Sequence, residues 1–498
     1  MSSAFDRTRR WLAGFGDPDA LARALARTHA EIVIAGPGPD AEIAAAMAAT
    51  LLLRLDEAAP ALHIVGPTTR VRPLPRLNDQ PLLDALADAH RGFDSAERLV
   101  AGPARTPVIR LVFGAEHNDG VTIASSGWRA AVGTTPDGPV GNPIAASFAG
   151  ALAAVEATKA MLAAVGVEHR RLRPWTGIVS LWDHGLPGTD GPSISTVDLD
   201  DVAFVGAGGI ASAVAWVLSL LELSGAPRAI DKDRFDGPNL NRHLTAGHDE
   251  AAQEMRKVDA FGVLLDGAGA VTRPVFARWQ ELPAVERTGV DLVVISVDHD
   301  PTRRDVQLDF PRLILNAGNA DTGLYRVTRH DFINGACLRC ISRGDERSHG
   351  PEESAARRLG LDLSDILPFL EGDDPLPDQL LARAVITDEE RDRIRGLRAH
   401  QALGVVCGQF AALPDLPALS MPALAAAPGV LVACELVKAR LQVTAPSLDA
   451  ANNTVSAGVL LGPHPRWISH RAKQPGCECN EQVYRAAHGR TWTPRATI

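Results

Sequence analysis

The residues best equipped for chemistry lie between Val202 and Lys257. An apolar strand, Val202-Ala203-Phe204-Val205, runs into Gly206-Ala207-Gly208-Gly209 and then into an apolar helix-like run. Glycines at 206, 208 and 209 let the chain turn sharply and approach phosphates, whose charge the N-terminus of the following helix stabilises. Asp231 stands 25 residues beyond Gly206, at the tip of a second expected strand, Arg228 to Ile230. A carboxylate there accepts ribose hydroxyls. The glycines alone are a weak signal, but a glycine turn followed in order by Asp231, Asn239, Arg242 and Lys257 reads as a nucleotide site. Lys257 gains weight from composition, because the chain has 45 Arg and only 5 Lys. Taken singly, Arg242 and Lys257 also read as solvated surface cations.

This series resembles the ubiquitin-activating-enzyme superfamily, the ThiF/MoeB type of ATP-dependent adenylating enzyme, rather than a dinucleotide oxidoreductase. The resemblance continues through Val293 to Asp298, a buried parallel strand ending in a carboxylate, with Arg303 five residues later, and it covers most of the second half. It implies a ribose-binding Asp231, phosphate contacts from Asn239, Arg242 and Lys257, magnesium on Asp298, and Arg303 as a further ATP-site residue. His299 departs from the pattern, which usually has Asn there.

Length and composition set the frame. At 498 residues the chain exceeds one core and suggests about three domains. Net charge is -10 and no Lys/Arg block appears, so nucleic acid is not an expected partner. Met1 to Arg10 lacks the apolar core of a signal peptide. The longest uncharged run, Val202 to Leu221, approaches membrane-span length, yet its glycine turn splits it into strand plus helix, so no membrane association is expected. Six cysteines in so long a chain are no disulfide scaffold, and the cytoplasm is the expected compartment. The alanine-rich, arginine-over-lysine composition matches a high-GC bacterial source.

A duplication is concealed in the chain. Pro143, Gly150, Glu156 and Lys159 recur as Pro422, Gly429, Glu435 and Lys438, with identical spacings of seven, six and three residues. The segment Glu31 to Pro39 mirrors Val202 to Gly209, but Pro37 and Pro39 remove N–H donors from the would-be phosphate loop. The expected fold is therefore α/β, with two Rossmann-like ThiF-type repeats forming a pseudo-dimer. Residues 1–190 would be an inactive adenylation domain, 195–342 plus 420–498 the active one, and 343–419 an insertion. The turn-rich stretch Asp183 to Ser195 marks the boundary. Phe5 to Arg10 resembles the segment from which an arginine of these enzymes reaches the partner's ATP site. Arg7 or Arg10 would serve, and a basic helix face is the other reading.

The cysteines fall into two groups. Cys337-Leu338-Arg339-Cys340 and Cys477-Glu478-Cys479 supply four thiolates, which suit tetrahedral zinc, although the second pair is CxC rather than CxxC. Many members of the family carry such a site at corresponding places. Cys407 is alone in the insertion, flanked by Gly404-Val405-Val406 and Gly408, where the family places its thioester cysteine. A catalytic thiol and a buried structural thiol both remain open there. Cys434 reads as core.

The expected activity is ATP- and magnesium-dependent adenylation of the C-terminal carboxylate of a ubiquitin-like protein. Thioester formation on Cys407 and transfer to a conjugating-enzyme-like partner would follow. Arg242, Lys257 and Asp298 join Cys407 as catalytic residues in this reading. The alternatives are adenylation without a thioester, for sulfur-carrier activation or peptide modification, and a non-catalytic scaffold with a vestigial nucleotide site.

Overall fold

The computed structural model describes residues 6–36, 38–66, 74–77, 80–139, 141–297, 300–319, 323–332, 335–341, 356, 359–372, 374–397, 421–441, 448 and 452–492. The chain divides into two compact units. The larger spans Met1–Asn319, Gly323–Ser342 and Ser420–Ile498; the smaller comprises Ala320–Thr322 and Arg343–Leu419. The smaller is built on helices such as Leu363–Gly372 and Asp378–Arg383, packed through Leu359, Ile366, Leu381 and Ile394.

Two sheets organise the larger unit. The first contains β1 (His29–Ile34), β2 (Ala61–Val65), β3 (Leu99–Ala101), β4 (Ile109–Phe113), β5 (Val121–Ser126), β6 (Arg129–Val132) and β7 (Gly177–Ser180). Its order is β3-β2-β1-β4-β5-β6-β7, parallel from β3 to β5 and antiparallel beyond. A short parallel pair, β8 (Val197–Asp198) with β10 (Leu223–Ser224), stands apart. The second sheet contains β9 (Val202–Val205), β11 (Arg228–Ile230), β12 (Arg273–Val275), β13 (Leu292–Ile295), β14 (Leu313–Asn319), β15 (Leu324–His330), β16 (Thr454–Gly458) and β17 (Ile468–Ser469). It runs β12-β11-β9-β13-β14-β15-β16-β17, again parallel through five strands and then antiparallel. The apolar runs of β9 and β13 are buried along their whole length, as strands covered on both faces must be.

Helices repeat the pattern. α1 (Pro39–Leu53) follows β1 and α3 (Gly209–Leu218) follows β9, while α2 (Pro143–Ala164) and α6 (Ala423–Arg440) each lead into the next antiparallel strand. α2 packs on α1, α6 packs on α3, and α2 and α6 pack on each other. These last two helices are apolar all round, so each is a core element and not a surface helix. That contact places both halves, separated near residue 190 by composition, in one compact unit.

The matched residues of the sequence repeat meet matched neighbours. A Cβ on Gly150 would collide with the Ala44 carbonyl of α1, and one on Gly429 would lie 2.6 Å from the Ile210 carbonyl of α3. Glu156 pairs with Lys159 at 2.5 Å and accepts the Trp175 N–H at 3.1 Å. Glu435 pairs with Lys438 and accepts the Leu448 N–H at 3.2 Å. The second pair also reaches across the junction. His184 Nε2 donates to Glu435 at 2.7 Å, and Lys438 Nζ donates to the Leu181 and Trp182 carbonyls at 3.0 Å each. In return, Trp175 Nε1 donates to the Pro463 carbonyl at 2.8 Å.

Burial alone would raise the Glu435 carboxyl, but Lys438 and His184 outweigh it and hold it down to about 2. Its contribution to stability is thus present above its ordinary value of about 4.5 and is lost as pH falls toward 2. Lys438→Met should lower stability in urea titrations by ~3–5 kcal/mol, the cost of stranding a buried charge. The double variant Glu435→Gln/Lys438→Met should recover much of that loss, and unequal urea midpoints of the single and double variants are the measurement that checks it.

Candidate nucleotide site

Strand order reverses between β9 and β13, and ligands of open α/β sheets bind beyond the carboxyl ends of the strands at such a point. A cavity of about 1050 Å³ lies there. Val205 ends β9, Ile230 ends β11 and Asp231 follows it, Ser296 and Val297 follow β13, and Asn319 ends β14, all lining its wall. Gly206, Gly208, Gly209, Asn239, Arg242 and Lys257 line it too, with Ala425 contributed by α6.

Each glycine of the turn has a separate reason to be there. Gly206 has φ +95°, and an added Cβ would come within 2.9 Å of Val297 Cγ1. Gly209 opens α3 where a Cβ would lie 3.1 Å from Arg242 Cγ. Gly208, the N-cap of α3, has φ -81° and ψ -162°, and an added Cβ would meet nothing within 4 Å. Neither conformation nor packing demands glycine at 208, so what remains is clearance toward the cavity.

Ala207, between them, is held through both of its backbone polar groups. Its N–H donates to Asp231 Oδ2 at 2.6 Å, and its carbonyl accepts from His243 Nε2 at 2.8 Å. Because that carbonyl only accepts, Nε2 carries the proton; Nδ1 accepts from Thr245 Oγ1 at 2.9 Å. Burial pushes His243 down to about 3, so it stays neutral and keeps this tautomer. Asp231 Oδ1 meanwhile accepts the Asp233 N–H at 2.8 Å. Burial raises the Asp231 carboxyl above its ordinary value, while the two backbone donors partly restrain it. Each oxygen keeps a further lone pair for a hydroxyl.

Lys257, the first residue of α4 (Lys257–Asp266), is 6% exposed, and its Nζ lies 3.2 Å from Asp233 Oδ2. Lys232 approaches the same carboxylate at 3.3 Å. Burial opposes ionisation of Asp233, but the two ammonium groups prevail and hold its carboxyl below the ordinary range. Asp233 thus occupies a lysine that an incoming phosphate would compete for. Asn239 ends the short turn Gly237–Asn239, and its carbonyl accepts the Arg242 N–H at 3.3 Å.

Arg303 contacts the turn that follows β13. It lies in α5 (Asp300–Leu308) and donates Nε and Nη2 to the Val297 carbonyl, at 3.0 and 2.6 Å. It thereby ties α5 to the turn after β13, at Val297 of the cavity wall. Asp298, His299, Pro37 and Cys407 lie outside the described residues, as do the side chains of Arg7 and Arg10. His243 and Asp233 escaped the sequence reading, although His243 directly follows Arg242 and Asp233 lies two residues past Asp231.

The sulfurs of Cys337, Cys340, Cys477 and Cys479 lie within 4.8 Å of one another, all on buried residues. Cys337 and Cys340 are 3.8 Å apart, and the cross pairs Cys337–Cys477 and Cys340–Cys479 are 3.5 Å apart. A tetrahedron with metal–sulfur bonds of about 2.3 Å has edges of about 3.8 Å, so the donor set fits zinc. The CxC spacing works because Cys477 caps the 3₁₀ turn Glu478–Asn480, which aims both sulfurs at the CxxC pair. Hydrogen bonds from Cys337, Cys479 and the Gln474 N–H, the last at 3.2 Å, favour the Cys340 thiolate against burial. Cys434, by contrast, is buried, its thiol pushed up to about 12 by desolvation, and donates to the Leu181 carbonyl at 3.2 Å.

No protein-family model matches the chain, and no curated protein matches it. Solved structures do. MccB of E. coli with AMPCPP and MccA is 12% identical, covering 72% of this chain and 97% of that one, with a TM-score of 0.35. MccB of E. coli alone is 13% identical over 72% and 94%, with a TM-score of 0.36. PaaA is 18% identical over 25% of this chain, which spans 39% of PaaA, with a TM-score of 0.21.

Gly206→Ala should destabilise the fold by ~1–3 kcal/mol, the cost of an unfavourable backbone region plus a close contact. Gly208→Ala should unfold at the parent's urea midpoint yet bind Mg-ATP more weakly in calorimetry; a normal affinity would remove the reason given for glycine at 208. Elemental analysis of freshly purified protein should find about one zinc per chain. Cys337→Ser should lower the melting temperature more than it changes ATP affinity.

Proposed function

We propose that the chain is an ATP-dependent adenylating enzyme that activates a C-terminal carboxylate. The observation that carries this reading is the convergence, beyond the carboxyl ends of β9, β11 and β13, of an anchored glycine turn open at Gly208 with Asp231, Lys257 and Arg242. A carboxylate is a poor electrophile. Attack by its oxygen on the α-phosphorus forms the acyl–phosphate bond while the bond to the β-phosphate breaks and pyrophosphate leaves. Arg242 and Lys257 offset charge on those oxygens, Lys257 by exchanging Asp233 for phosphate, and Asp231 holds the ribose. Magnesium, with Asp298 as its ligand, would screen the phosphate charge.

The two halves are best read as fused copies of one adenylating ancestor, the first inactive. Supporting this are the common strand order and the equivalent surroundings of Gly150 and Gly429. In the first half Gly36 is wedged against Gly114, and Pro39 opens α1 without an N–H. Asp40 stands in the first turn of α1, where a phosphate would need to sit, and accepts the Gly141 N–H at 2.8 Å. On this reading residues 1–190 complete the site, 195–342 plus 420–498 hold ATP, and 343–419 is an insertion.

For the acyl group's fate, we put adenylation without a thioester first, serving peptide modification or sulfur-carrier activation. The five described cysteines are all buried, four in the cluster and one in α6. A thioester route therefore rests wholly on Cys407, and with it a ubiquitin-like substrate and a conjugating-enzyme-like partner.

ATP–pyrophosphate exchange with candidate carrier proteins and peptides is the test. Exchange should appear with a cognate carboxylate and vanish in Asp298→Ala, which should melt at the parent's temperature; persistence would overturn the metal assignment. Cys407→Ala should retain exchange and product formation. Loss of a thiol-sensitive adduct together with product in that variant would instead establish the thioester route. No exchange and no ATP binding by the parent would leave the scaffold reading.

A further inference from the structure

Asn239 and Arg242 sit in a stretch with little regular structure of its own, between the turn Gly237–Asn239 and the short helix His248–Ala252. It is secured from two sides. From the second half, His243 Nε2 bonds the Ala207 carbonyl, and Ser212 Oγ accepts the Leu244 N–H at 3.0 Å. From the first half come two arginines.

Arg54, which ends α1, donates Nη1 to the Leu240 carbonyl and Nη2 to the Ala246 carbonyl, each at 2.6 Å. It is 1% exposed, and its guanidinium lies 4.9 Å over the Phe93 ring. Arg76 donates Nη1 to the Thr245 carbonyl at 2.5 Å and to Glu250 Oε1 at 2.7 Å, and Glu250 Oε2 accepts the Gly247 N–H at 2.7 Å. Arg76 holds φ +58° between Leu74 and Leu77, which bridge each other. A non-glycine residue persists there only when its surroundings over-determine it.

Burying a guanidinium to meet two carbonyls that water would otherwise satisfy is a poor way to gain stability. Desolvation, aided by the like charge of Arg76, pushes Arg54 down to about 9, against the opposing pull of Glu250 and Asp56. The arrangement does achieve orientation. Three carbonyls on the far side of the Arg242 segment are pinned by the first half, while the near side is pinned to the glycine turn.

We infer that Arg54 and Arg76 are positioning residues of the nucleotide site, holding the 239–247 stretch that carries Asn239 and Arg242 from the other half of the chain. The inference rests on the adenylation reading for its effect on ATP, but the held segment can be observed without ATP.

The experiment compares the full-length parent with Arg54→Lys, Arg76→Met and Arg76→Lys, by hydrogen–deuterium exchange without nucleotide and by ATP–pyrophosphate exchange. Amides of residues 239–247 should exchange at least tenfold faster in Arg76→Met and Arg54→Lys, while those of α2 keep the parent's protection. KM for ATP should rise tenfold or more with kcat within threefold, and Arg76→Lys should recover part of both. Arg76 is the less buried of the two, so Arg76→Met decides the matter if Arg54→Lys fails to fold. Unchanged protection of 239–247, or an unchanged KM in a folded variant, overturns the inference. A parent that shows no pyrophosphate exchange at all defeats the adenylation reading instead, and the deuterium result still decides this one.

Discussion

The packing of α2 against α6 is the constraint on which everything else rests. Both helices are buried on nearly every side, so neither helix has a solvent face to offer in place of that contact. The ion pairs inside it follow from the same geometry. Once Glu435 and Lys438 are carried into the junction, they can be tolerated only as a mutually satisfied set, and Leu181, Trp182, His184 and Leu448 supply what the pair lacks. Ala425 joins the cavity wall from the same helix, so the junction and the cavity share one element.

Within the site, the fixing hydrogen bonds are concentrated on the two peptide groups that flank the Ala207 Cα. Ala207 is anchored to the end of β11 by Asp231 and to the Arg242 segment by His243, and Ser296 after β13 adds a bond from its Oγ to the Gly206 carbonyl at 3.1 Å. Three different elements therefore fix the turn before any ligand arrives. Lys257 instead rests on Asp233, and on the proposed adenylation reading it would exchange that carboxylate for phosphate.

Much of the scaffold was legible in the sequence. Val202–Val205 and Arg228–Ile230 are strands at the bounds expected for them, because buried parallel strands are continuous apolar runs between turn residues. β13 stops at Ile295, two residues before the expected carboxylate's neighbour Val297, since the chain there turns to form the cavity wall. The seven-six-three spacing of Pro, Gly, Glu and Lys pointed to helices that prove to have matching partners. The contacts that tune the site were not legible. Arg54 reaches Leu240 across 186 positions and His243 reaches Ala207 across 36, and neither pairing leaves a periodic trace. The bond from Arg303 to the Val297 carbonyl is likewise a contact that spacing along the chain does not announce.

The cysteine cluster has a consequence for how such a chain could diversify. Cys337 and Cys340 stand just before the smaller unit, and Met421, buried at the head of α6, stands just after it. Both ends of that unit are therefore moored in the larger one, the first of them to a segment more than 130 residues downstream. For a loop with moored ends, each doubling of length adds only about 0.6 kcal/mol of closure entropy. A change in the length of the chain between those two ends therefore costs the larger unit little thermodynamically, so this is where the chain can vary most without disturbing the two sheets.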